Sequence, residues 1–131
     1  MNSTLTRLGF MAGALYFCCM AMAHFWGLKY PLLFVYYDTP FYAYQDKIIS
    51  FAVLAYVALF YQAARSRESI PAALVVMGLT ILGLAGVNLS EDLAQVLEPG
   101  QSTMPYWIQV GLFAVYWLVL AGLWWRDARP A

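Results

Sequence analysis

Four stretches of the chain carry no Lys, Arg, Asp or Glu: Leu8–Leu28, Ile48–Ala64, Ile70–Leu89 and about Tyr106–Trp125. Within them apolar residues do not alternate with polar ones, as the strands of a membrane barrel would require. Each run lies within or close to the ~17–25 residues a helix needs to cross ~30 Å of hydrocarbon. The pattern predicts an all-α membrane protein with four transmembrane helices in an antiparallel bundle, forming one domain over residues 1–131. Arg7, the apolar run and Ala21-Met22-Ala23 also resemble a signal peptide with its cleavage site. The run reaches Leu28, long for such a segment, so it is expected to stay as the first helix.

The breaks between the runs are of two kinds. Arg65-Ser66-Arg67-Glu68-Ser69 is short, and Pro71 follows in the first helical turn, where its missing N–H costs nothing. Helices two and three are therefore expected side by side. The other two breaks, Lys29–Lys47 and Ser90–Pro105, are longer. The first is too apolar for a solvated loop and too interrupted by Pro31 and Pro40 for a span. Its Tyr30, Tyr36, Tyr37, Tyr42 and Tyr44 suit the interface, where a ring stays apolar and its hydroxyl wet. We expect an aromatic interfacial segment over about 29–47, with Thr39 or Asp38 capping a helix that starts at Pro40 and runs into helix two.

Charge gives the bundle a direction. Basic residues resist translocation, and with both ends inside one side holds Arg7, Arg65, Arg67, Arg126 and Arg129 against Glu68 and Asp127. The other side holds Lys29 and Lys47 against Asp38, Asp46, Glu91, Asp92 and Glu98. The formal net charge of zero thus resolves into two opposite imbalances. The expectation is N-in/C-in, with both termini cytoplasmic, in a plasma (bacterial inner) membrane.

Composition agrees and narrows the function classes. Hydrophobic residues make up 63% and charged residues 11%, with mean hydropathy +0.66, against about 25% charged in soluble proteins. Disorder and a soluble fold of this size are excluded. With no basic surplus, nucleic acid is not an expected partner. The expected surroundings are the lipid bilayer and other membrane protein subunits.

Helices in lipid associate by close fit, so small residues spaced by four mark contact ridges. Gly9 and Gly13, Gly78 and Gly86, and Gly111 and Gly122 form such ridges, available to this chain or to a partner. Candidate chemistry is sparse. His24 is the one histidine, near the outer end of helix one. It can hydrogen-bond a quinone, ligate haem or relay a proton, or pair with a carbonyl, tyrosine or carboxylate of the outer side. Haem needs a second axial ligand, and Met20 and Met22, four and two residues away on the same helix, cannot both face one iron. Cys18-Cys19 lacks the spacing of a thiol-redox pair and is expected to pack as small hydrophobes. Asp38, Asp46, Glu91 and Asp92, with Asn88 and Ser90, offer oxygens but no regular ligand spacing, so no metal is assigned. Thr80, Gln62 and Gln109 are the other notable polar groups near the spans, and no chain of acids crosses the membrane.

Two functions fit. The favoured one is an accessory or structural subunit of a larger membrane complex, with no cofactor and no catalytic residue. The alternative is a ligand-handling protein that binds a quinone or haem near His24, with Tyr30, Tyr37, Asp46 and Glu91 around an outer-face pocket.

Overall fold

The computed structural model describes residues 2–30 and 42–128, with Tyr42 described in its backbone alone. Among these the protein is helical and contains no strand. Four long helices follow the four apolar runs: α1 (Thr4–Trp26), α2 (Tyr42–Arg65), α3 (Ile70–Leu89) and α5 (Met104–Ala128). A single 3-10 turn, Arg67–Ser69, joins α2 to α3, and a short α4 (Glu91–Val96) sits between α3 and α5. All four long helices are long and apolar enough to span a bilayer.

The helices outlast the apolar runs where polar side chains secure their ends. α1 begins four residues early because the Ser3 hydroxyl accepts the Thr6 N–H at 3.3 Å. It stops at Gly27, in the left-handed region at φ 66°, where Leu28 N–H returns to the Ala23 carbonyl at 2.8 Å. α2 is described from Tyr42, so the polar turn through Asp46 and Lys47 is helical, as expected of a helix running into the second span. The caps expected at Asp38 and Thr39 lie outside the described residues. The short α4 was not expected, and its Leu93 is buried while Glu91 and Asp92 remain exposed.

The core is aromatic. Phe10, Phe17, Phe60 and Phe113 are buried, with Tyr16, Tyr56 and Tyr116 packed around them. Phe17 lies 5.1 Å from Phe60 and 6.1 Å from Phe113 between centroids, which ties α1, α2 and α5 together. Such tilted and edge contacts suit the ring quadrupoles. α3 is held to α5 by the Trp117 indole N–H, which donates to the Leu74 carbonyl at 2.7 Å.

Hydrogen bonds bring opposite helix ends together. Asn2 donates its amide to the Ala63 and Ala64 carbonyls at 2.9 and 3.3 Å, satisfying the end of α2. Asp127 accepts from Ser3 N–H at 2.9 Å, from the fully buried Thr6 hydroxyl at 2.7 Å and from Arg126 at 2.8 Å. The Arg126 guanidinium also reaches Ser3 Oγ at 2.7 Å. One end of the bundle is therefore clasped by Asn2, Ser3, Thr6, Arg126 and Asp127. The same end holds Arg7, Arg65 and Arg67. The other end holds His24, Asp46 and Lys47.

Asp127 lies past Trp125, where the apolar run stops. The Thr6 hydroxyl, then the Arg126 guanidinium and Ser3, hold its carboxyl well below the usual aspartate value of 3.8. A carboxylate with a depressed value stabilises the fold above 3.8, and that contribution is lost as pH falls below it. Wild type should therefore exceed Asp127→Asn in thermal stability at neutral pH, and the gap should close on acidification. A gap of constant size would remove the ionised clasp.

The packing glycines divide. A Cβ at Gly9 would touch the Leu120 side chain at 3.0 Å, and one at Gly78 would sit 3.5 Å from the Trp117 ring nitrogen. Gly13 is pressed against Phe60 and the Tyr116 hydroxyl. Among the described residues nothing lies within 4 Å of a Cβ at Gly86, Gly111 or Gly122. Cys19 likewise differs from expectation: it is exposed on the outer wall of α1, while Cys18 is half-buried.

Candidate ligand site

His24 faces the bundle, not lipid. One turn before Gly27 ends α1, its Nδ1 lies 3.1 Å from Asp46 Oδ1, and the two side chains are only 15% and 11% exposed. Asp46 occupies the second turn of α2, on the face turned to α1. Among the described residues its other oxygen, Oδ2, is buried and has no hydrogen-bond partner. A buried polar atom left unpaired costs about 1–3 kcal/mol.

Below the pair opens a cleft of about 440 Å³ to which all four long helices contribute. Met20 and His24 come from α1, Val53 and Tyr56 from α2, Thr80 and Leu84 from α3, and Tyr106, Gln109 and Phe113 from α5. The lining is mostly apolar, with a few polar groups set into it. The Tyr56 hydroxyl bonds Thr80 Oγ1, and Thr80 in turn donates to the Val76 carbonyl at 2.9 Å. Gln109 is hydrogen-bonded to Tyr16 across the α1–α5 seam. An apolar cavity of ~300–1,000 Å³ with a few placed polar groups is the usual form of a small-molecule site.

The expected outer-face constellation is only partly assembled. His24 and Asp46 meet. Tyr30 is 61% exposed and lines a separate groove on the outer wall of α1 with Cys19, Trp26 and Leu28. Glu91 is exposed on α4. Tyr37 lies outside the described residues. The surroundings of His24 are instead Met20, Tyr56, Thr80, Tyr106 and Gln109, within the bundle. Thr80 and Gln109 stood out in the sequence as polar groups within apolar runs. Nothing there showed that they share one cleft with His24.

Among the described residues no three His, Cys, Asp or Glu side chains come together as metal ligands. Asp38 of the acidic set lies outside them. Comparison with protein-family models, with curated proteins and with solved structures returns no match.

Proposed function

We propose that this small multi-pass membrane protein binds a lipophilic small molecule in the four-helix cleft, with the His24–Asp46 pair as its hydrogen-bonding anchor. The observation that carries this is the position of His24: in the cleft wall, turned inward and paired with a buried carboxylate. A carboxylate on Nδ1 fixes the ring and presents Nε2 as the remaining polar atom. Neutral His24 offers Nε2 as an acceptor for a hydroxyl. Protonated, it donates to a carbonyl. A quinone and its quinol present these two faces, so the quinone class fits the anchor best. Haem fits less well, because His24 is the one imidazole and Met20 is on the same helix.

The test is purification in mild detergent followed by solvent extraction and an absorption spectrum. A quinone-type absorption that is stoichiometric in wild type and lost in His24→Ala is expected. A Soret band would replace quinone by haem. A colourless extract, with no saturable quinone binding after reconstitution, would overturn the proposal.

The accessory-subunit reading keeps one specific support. Gly111 and Gly122 lie on one face of α5 with exposed Val115 and Leu118 between them, and no described residue packs against the two glycines. Small residues at such spacing allow a second helix to approach closely. Stoichiometric co-purifying subunits, lost on Gly111→Leu, would support it. The arginine-rich end is proposed to face the cytoplasm, giving N-in/C-in.

A further inference from the structure

The cleft is not the only space between α1 and α5. Toward the middle of both helices a groove of about 250 Å³ is lined by Ala12, Tyr16, Gln109, Leu112, Phe113 and Tyr116. Gln109 and Phe113 line both the groove and the cleft. One layer of side chains thus separates the space beside His24 from the outside of the bundle at mid-membrane depth. Ala12 and Leu112 are exposed at its mouth, the latter by 51%. The seam is shut toward the clasped end, where the Tyr116 hydroxyl donates to the Gly9 carbonyl at 2.6 Å and Leu120 packs on Gly9.

Resting on the binding function proposed above, we infer that the ligand has two parts, a polar ring held at His24 and a linear apolar tail that parts the Gln109 and Phe113 side chains shared by cleft and groove and runs through the α1–α5 groove into lipid. The cleft alone is too small to enclose a long-chain lipid, and a tail turned toward the His24 end would meet the charged residues there. The groove offers it an almost wholly apolar path at the depth of the acyl chains. Lipid is as apolar as the groove, so the path adds little affinity. Its role is steric: a tailed molecule can seat its head only if the tail has a way out.

That predicts a selective effect of closing the groove. In nanodiscs, wild type should quench its tryptophan fluorescence saturably with both duroquinone, which has no tail, and a decyl-tailed trimethylbenzoquinone. Ala12→Phe fills the mouth from an exposed position. It should raise the Kd of the tailed quinone by about ten-fold or more, the scale of a steric insertion, and leave duroquinone within about two-fold. A tailed quinone with a diazirine at the chain end should, on irradiation, label peptides containing Ala12 and Leu112. Equal responses of the two quinones to Ala12→Phe, or labelling confined to a second apolar groove, between α3 and α5 and lined by Leu79 and Trp117, would overturn the tail path while the binding site stands. Failure of both quinones to bind wild type would instead remove the binding function, and the tail path with it.

Discussion

Gly13→Ala should destabilise the protein by about 1–3 kcal/mol net of its gain in helix propensity, whereas Gly111→Ala and Gly122→Ala should leave it unchanged or slightly more stable. The same chemical change is made in each case, in the interior of a helix, where Ala exceeds Gly by up to about 1 kcal/mol in propensity. The surroundings decide the sign. A methyl group on Gly13 would fall on the Tyr116 hydroxyl and within 2.9 Å of Phe60 Cε1. Phe60 cannot yield easily: it is fully buried, with Phe10 at 5.6 Å and Phe17 at 5.1 Å between centroids. Over-packing a tight core costs about 1–3 kcal/mol. Displacing Tyr116 also removes its hydrogen bond to Gly9, about 1 kcal/mol more. Gly111 and Gly122 have no neighbour among the described residues within 4 Å of the added carbon beyond their own helix. Unfolding in SDS or by heat, read by tryptophan fluorescence, gives the comparison. Adding Tyr116→Phe to Gly13→Ala should recover only part of the loss, because the Phe60 ring remains. A Gly13→Ala protein as stable as Gly111→Ala would mean that α1 does not approach α2 and α5 this closely.

These glycines also mark how far the sequence could be read. The four spans followed from unbroken apolar runs, because a bilayer leaves few other ways to place some twenty uncharged residues. Which face of each helix turns inward did not follow. In a soluble helix the polar stripe points outward, but here lipid and core are both apolar and leave no stripe to read. Gly13 and Gly111 therefore looked equivalent, though one is buried under two rings and the other faces outward. The clasp was equally hidden, since Asp127 and Thr6 are 121 residues apart and each alone is an ordinary polar residue at a helix end. His24 was more legible. A lone histidine near the outer end of a span, on a side rich in carboxylates, needed a polar partner, and Asp46 was among those named. The cleft beneath it takes residues from four helices, and no local pattern records such a convergence.

Removing His24 should cost stability for a reason that a second substitution can cancel. In His24→Ala the Asp46 carboxylate, 8% exposed, loses its one hydrogen bond among the described contacts and stays buried. Breaking a largely buried pair from one side costs about 3–5 kcal/mol when enclosure is complete, and about 2–3 kcal/mol is expected for this slightly accessible pair. His24→Ala combined with Asp46→Leu leaves no stranded charge and should return to within about 1 kcal/mol of wild type. The double variant then separates two roles that either single variant confuses. If the pair serves only to lock α1 to α2, restoring stability restores all that was lost. If it anchors a ligand, the double variant is folded and stable, yet takes up no quinone. Unfolding and binding measured on the same four proteins decide between these outcomes. A double variant that regains both would make the cleft a packing defect rather than a site. The unpartnered Asp46 Oδ2 argues for the other result. A pair that served for locking alone would be expected to bury both carboxylate oxygens against donors, and among the described residues Asp46 Oδ2 has none, beside the His24 ring that lines the cleft.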